Sequence, residues 1–219
     1  MEELIRQIIE KEWPLFRDVN GGDRVSCQND NRTFVIMRSA QYRAWSQEAL
    51  ESYARDLDAA IARGHSIVRE KYIRMMRATE PETYEKLTAE LPPVSPEKEK
   101  LVAEIWAILL EQTERMRKEY PILALGGRPL YAKDEAGWAS VETYQTSELL
   151  TYSEETLTLL LKHIRALQAQ GIDFARVVQE NTVRGIGFPD MATAERAMLG
   201  GARADNRTNS CGCGGTDEG

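Results

Sequence analysis

With 219 residues, 42% of them hydrophobic and 29% charged, the chain is long enough to bury a sizeable core and too apolar to be disordered. Its net charge of −7, from 35 acidic and 28 basic residues, works against a phosphate-backbone partner, which needs clustered Lys and Arg. No apolar run approaches the ~20 residues that cross a bilayer, and Met1-Glu2-Glu3-Leu4 lacks the basic and apolar regions of a signal peptide. The expectation is a cytoplasmic protein with no membrane partner, for which nucleic acid is a minor reading. Cysteine usage agrees: Cys27, Cys211 and Cys213 are odd in number and make no secreted disulfide framework.

Helical periodicity runs along the whole chain. Leu4, Ile5, Ile8, Ile9, Trp13 and Phe16 form one apolar stripe, with Pro14 expected to kink or end that helix. Ser46 and Ser66 stand where N-caps belong, and Gly64 where a left-handed residue would close a helix. Pro81 opens a further short stretch. Leu91-Pro92-Pro93-Val94-Ser95-Pro96 reads as a stiff extended linker. Beyond it, Leu101, Ile105, Ile108, Leu109 and Gln112 start a second stripe, and Leu157, Leu160, Leu161, Ile164 and Leu167 a third. The Lys and Arg residues between Glu111 and Glu119 alternate with acids, as on a solvated helix face. No segment alternates apolar and polar residues between turn signals, so no sheet is expected.

Punctuation recurs at a spacing of 107 residues. Trp45-Ser46-Gln47-Glu48-Ala49-Leu50 stands beside Tyr152-Ser153-Glu154-Glu155-Thr156-Leu157, each an N-cap Ser flanked by the two halves of a hydrophobic staple. Gly64 and Gly171 follow the last periodic residue of each helix, Ser66 and Asp173 can cap the next, and Pro81 and Pro189 open the one after, with one extra residue in the second half. Upstream, Thr33-Phe34 to Gln41 matches Ser140-Val141 to Glu148. These marks predict an all-α fold made of a duplicated helical module, packed as one bundle-like domain with pseudo-two-fold symmetry. The first copy is expected over residues 1–94 and the second over 95–199, with 200–219 as a flexible Gly- and Cys-containing tail.

Glu12-Trp13-x-x-Phe16, Ser26-Cys27-Gln28, Thr33-Phe34-x-Ile36-Met37-Arg38-x-x-Gln41, Glu70-Lys71-Tyr72-x-Arg74-Met75-Met76 and Leu91-Pro92-Pro93 mark the first half. Glu142-Thr143-Tyr144, Tyr152-Ser153-x-x-Thr156-Leu157 and Glu180-Asn181-Thr182 mark the second. Through these strings the chain resembles the bacterial family catalogued as domain of unknown function 4125, over nearly residues 1 to 199. The resemblance implies no activity.

Chemistry must therefore be sought in the residues themselves. Ser26-Cys27-Gln28-Asn29-Asp30 is a polar loop between two helices, whereas the comparable loop of the second half is Gly126-Gly127-Arg128-Pro129 and lacks a Cys. Cys27 with Arg38, Gln41 and Glu70 could be a nucleophilic thiolate and its partners acting on a small polar substrate. Cys27 also reads as a small buried residue, with Gln28 and Asp30 capping the next helix. Glu70 and Arg74 are one turn apart, as an i,i+4 ion pair or as two walls of a polar pocket. Glu12, Glu142 and Glu148 are further carboxylates of interest. His65 and His163, the only histidines, do not follow a Glu by three residues, which disfavours a di-iron bundle site. His65 is expected to be exposed.

Phosphate-loop, dinucleotide-binding and nucleophile-elbow motifs are absent from the sequence. In the tail, Cys211-Gly212-Cys213-Gly214-Gly215 offers two thiols to a soft metal ion or an Fe–S species, a half-filled set needing ligands from elsewhere. It resembles the Cys-Gly-Cys-Gly string of A-type iron–sulfur carriers over four residues. Three functions stay open: a module binding a small molecule or a protein partner through a polar site near the Cys27 loop, an enzyme using Cys27, and a metal or sulfur carrier acting through Cys211 and Cys213.

Overall fold

The computed structural model describes residues 1–19, 29–131 and 139–201, and among them every regular element is helical. The α-helices in chain order are α1 (Glu2–Arg17), α2 (Asn31–Tyr42), α3 (Gln47–Ala62), α4 (Ile67–Thr79), α5 (Pro81–Leu87), α6 (Pro96–Glu119), α7 (Pro121–Leu125), α8 (Val141–Leu149), α9 (Glu154–Ala169), α10 (Phe174–Gly185) and α11 (Met191–Gly201). No helix among the described residues is long and apolar enough to cross a membrane.

The boundaries follow from capping chemistry. Ser46 and Ser153 accept from the backbone N–H groups of Ala49 and Thr156, so α3 and α9 begin at matching points. Gly64 (φ 68°) and Gly171 (φ 73°) then close them. The next backbone N–H groups, of His65 and Ile172, return to the carbonyls of Ala60 and Leu167 at 2.9 and 3.0 Å, a turn that requires left-handed backbone. Ser66, Ser95 and Ser140 cap α4, α6 and α8 in the same way.

Three expectations need correction. Pro14 neither ends nor breaks α1, which continues to Arg17. Pro14 and Glu10 both lie on the exposed side, so the carbonyl that loses its partner can be hydrated. Asp173 stands at the start of α10 without capping it, because its carboxylate pairs with Arg115 at 2.9 Å. The Gln112 side chain takes over, accepting from the Ala175 N–H at 3.1 Å. Pro189 stands two positions before the start of α11, and Asp190 between them is the cap, accepting from the Thr193 N–H at 2.7 Å. Of the expected tail, Gly200 and Gly201 end α11 and the remainder lies outside the described residues.

The core joins residues from both halves of the chain. Ile5, Ile8 and Ile9 of α1 pack in one cluster with Leu50, Tyr53 and Leu57 of α3, Ile105 and Leu109 of α6, and Leu157, Leu160 and Ile164 of α9. Four aromatic rings fill its centre: Trp45 meets Tyr42 and Tyr152 edge-on, at 5.6 and 5.5 Å between centroids, and Tyr53 meets Tyr152 at 5.0 Å. Around it, α2 packs on α10 and α4 packs on α8.

The α2–α10 crossing is tight. A Cβ on Gly185 would lie 2.7 Å from Cγ2 of Ile36. Gly185→Val should therefore push the helices apart and lower stability by about 1–3 kcal/mol in urea unfolding. An unchanged midpoint would mean that this crossing is looser than described.

Candidate functional site

Four helices, α1, α2, α4 and α8, each carry a buried charged residue. On α1, Ile5, Ile8 and Ile9 set the buried stripe, and Glu12 falls on its continuation, 1% exposed. On α2, Arg38 is one turn before Tyr42 and shares its face. On α4, Lys71 lies between Ile67 and Met75 at four-residue steps, and on α8 Glu148 follows Tyr144 by one turn.

These residues form an alternating chain of charge. Arg38 binds Glu12 through Nε and Nη2, at 2.9 and 2.5 Å, and Glu148 through Nη1, at 2.6 Å. Lys71 Nζ donates to the other oxygen of Glu148 at 2.7 Å. Arg38 also donates to Gln41 at 2.9 Å and to the Tyr42 hydroxyl, so all five of its N–H groups are engaged. Tyr42 and Tyr53 donate to Glu12 at 2.6 and 2.5 Å, and Tyr152 and Gln41 to Glu148 at 2.8 and 3.2 Å.

Burial pushes the Glu148 carboxyl up, but the charges of Arg38 and Lys71, and their hydrogen bonds, outweigh it and hold the group well below the usual carboxylate range. Burial raises the Tyr42, Tyr53 and Tyr152 hydroxyls, which remain protonated donors. Desolvation works against the Arg38 cation, yet Glu12 and Glu148 keep it more firmly protonated than a free guanidinium.

The network forms the floor of a cavity of about 180 Å³ between α1, α2, α4 and α8. Phe16, Phe34, Met37, Ile67, Val68 and Tyr72 supply apolar wall, and Phe16 stacks on Phe34 at 4.9 Å. Tyr144 forms another side, with Lys71 Nζ 3.3 Å from its ring centroid and Arg128 Cζ 5.1 Å away. An apolar cleft with a few convergent polar groups is the general form of a small-molecule site.

The residues singled out from sequence divide into three groups. Asp30, Arg38 and Gln41 gather here: Asp30 caps α2 through the Thr33 N–H at 2.9 Å and lines the cavity, while Arg38 and Gln41 bind Glu148. Glu70 and Arg74 pair elsewhere, at 2.8 Å. Glu70 also meets His65 Nε2 at 2.7 Å, so His65 is half-buried rather than exposed, and Arg74 donates to the Pro92 carbonyl at 3.1 Å, tying α4 to the linker. Cys27, Gln28, Cys211 and Cys213 lie outside the described residues. Among the described residues no group of three or more His, Cys, Asp or Glu side chains is placed to hold a metal.

Lys71, Tyr144, Tyr53 and Tyr152 also line the cavity and do not stand out in the sequence. The available signal was a Lys at a core position of α4 and an aromatic-acid-aromatic series, Tyr144, Glu148 and Tyr152, at four-residue steps. No curated protein and no solved structure matches the chain. The family model described as "Protein of unknown function (DUF4125)" matches residues 2–196, and the chain belongs to that family.

Proposed function

We propose that this protein binds a small molecule in the cavity between α1, α2, α4 and α8. The observation that carries the reading is the buried series Glu12, Arg38, Glu148 and Lys71, which ends in an ammonium at the cavity wall. Buried ion pairs are seldom the cheapest way to stabilise a core, because desolvation costs several kcal/mol per ion and well-packed apolar residues do as well or better. Four such charges beside an apolar cleft are better explained by recognition.

The scaffold reading goes with it. A duplicated helical module, residues 1–94 and 95–199, places the site where helices of the two copies meet. Several correspondences support this plan. Ile5, Ile8, Ile9 and Glu12 have counterparts one hundred residues on, in Ile105, Ile108, Leu109 and Gln112. The α2–α10 and α4–α8 contacts exchange under the same pairing of elements. Asp56 of α3 accepts from the Ser153 N–H before α9, while His163, its counterpart 107 residues later, meets the Ala44 carbonyl before α3. Gln112 stands where the first copy has Glu12, so the charged floor belongs to one side of the axis. A cytoplasmic setting completes the proposal.

Thermal unfolding against a panel of small metabolites tests the reading. A ligand at about 100 times its Kd adds about 2.7 kcal/mol, which for a chain of this size raises Tm by roughly 5–10 °C. Val68→Phe, which projects bulk into the cavity, should abolish that rise while leaving the fold intact. Equal stabilisation of both proteins would move the site elsewhere.

A further inference from the structure

The ligand's charge can be read from how the polar groups of the cavity are already spent. Each lining carboxylate is engaged. Glu12 receives Arg38, Tyr42 and Tyr53. Glu148 receives Arg38, Gln41, Tyr152 and Lys71. Asp30 accepts from the Thr33 backbone N–H as the cap of α2.

The cations are engaged unequally. Arg38 has no N–H left, as described above. Lys71 carries three donors, of which one goes to Glu148 at 2.7 Å and the ring of Tyr144, 3.3 Å from Nζ, can receive a second. Its side chain is 8% exposed, so the remaining N–H has little water to turn to. Among the described residues, Arg38 and Glu148 of the alternating series each have two partners of opposite charge, whereas the ends, Glu12 and Lys71, have one. Glu12 makes up the difference with the Tyr42 and Tyr53 hydroxyls, and Lys71 faces the cavity. Arg128, a second lining cation, meets the same Tyr144 ring and donates through Nη1 to the Ala139 carbonyl at 3.0 Å.

From this convergence we infer that the ligand carries an anionic head, a carboxylate or a phosphate, bound between Lys71 and Arg128 beside Tyr144, with an apolar or aromatic body against Phe16, Phe34 and Tyr72. The anion supplies Lys71 with its second opposite charge, and the rings shield the pair from water. A cationic head would bring a third positive charge to Lys71 and Arg128 and would find the lining carboxylates already engaged. This inference rests on the cavity being the binding site and adds the sign of the ligand to it.

Four probes of similar size separate the two claims: 3-phenylpropionate, benzyl phosphate, 3-phenylpropan-1-ol and 3-phenylpropylamine, titrated at millimolar concentration by ligand-observed NMR. The acid, the phosphate or both should bind about tenfold more tightly than the alcohol, and the amine most weakly. Which anion leads identifies the head group. Lys71→Met should bring the anions down to the level of the alcohol. Because that change also removes a partner of Glu148, Arg128→Gln is the second variant, with the same direction expected. Alcohol and amine binding as tightly as the anions would overturn the inference while leaving the cavity reading in place. Anion binding unaltered by Arg128→Gln and Lys71→Met, or no binding by any probe, would also overturn it. The metabolite panel and Val68→Phe would still decide the cavity reading separately.

Discussion

Arg38→Met is expected to cost about 3–5 kcal/mol, against a total stability of about 5–15 kcal/mol for a typical domain. The reason is what stays behind. Glu12 and Glu148 are 1% and 3% exposed, and Arg38 is the cation they share. Removing it leaves two carboxylates on one site, without the water that would otherwise solvate them. The tyrosine hydroxyls and Lys71 soften the loss without replacing a full charge. Urea unfolding of the intact chain measures the effect as a fall in midpoint. Arg43→Met is the control: Arg43 pairs with Glu2 at 2.8 Å on the surface, and breaking that pair should cost under about 1 kcal/mol. A double change, Glu12→Gln with Arg38→Met, should recover part of the loss, because one stranded charge goes with its partner. Equal midpoints for the Arg38 and Arg43 variants would mean that the network is solvated and not the buried unit described above.

Glu148→Gln should be comparably severe, at about 3–5 kcal/mol at neutral pH, and it should change the shape of the pH dependence. The carboxyl is held below the usual range in the folded protein and returns to about 4.3 when unfolded. Its stabilisation is therefore fully present above the unfolded value and is lost as pH falls toward the folded one. The native protein should lose stability steeply below about pH 4.3, and Glu148→Gln should lose less over the same interval. Urea midpoints at pH 7 and near pH 3.5 supply the comparison. Parallel losses in the two proteins would place the acid sensitivity in other carboxylates.

Local structure was readable wherever a side chain satisfies its own backbone. Ser46, Ser66, Ser95 and Ser153 mark helix starts, and Gly64 and Gly171 mark helix ends, because capping and left-handed turns depend on neighbours in sequence. Asp173 failed as a cap because a residue 58 positions earlier, Arg115, takes its carboxylate. Such competition is tertiary and leaves no local trace.

The candidate site was readable in the same partial way. Arg38, Gln41 and Asp30 stood out as polar residues on α2 and at its start; Arg38 and Asp30 line the cavity, and Gln41 binds Arg38. On α4 the sequence draws the eye to Glu70 and Arg74, since one helical turn makes them an ion pair, and the pair forms. Lys71 is the next residue, about 100° around the helix, and that rotation separates the linker side from the cavity side. Choosing between them requires knowing that α4 packs on α8, a contact between residues 77 positions apart for Lys71 and Glu148. A more general sign was present: Glu12, Lys71 and Glu148 each occupy a core-facing step of a helix, and charges there need partners of opposite sign from other helices.

The most direct test of the cavity as a binding site is a crystal structure of the full chain soaked with the compound that most raises its melting temperature. The account predicts ligand density between α1, α2, α4 and α8, with a polar head within hydrogen-bonding distance of Lys71 Nζ and its body against Phe34 and Tyr72. Density at another surface, such as the groove between α6 and α9, with no ligand beside Lys71, would contradict it.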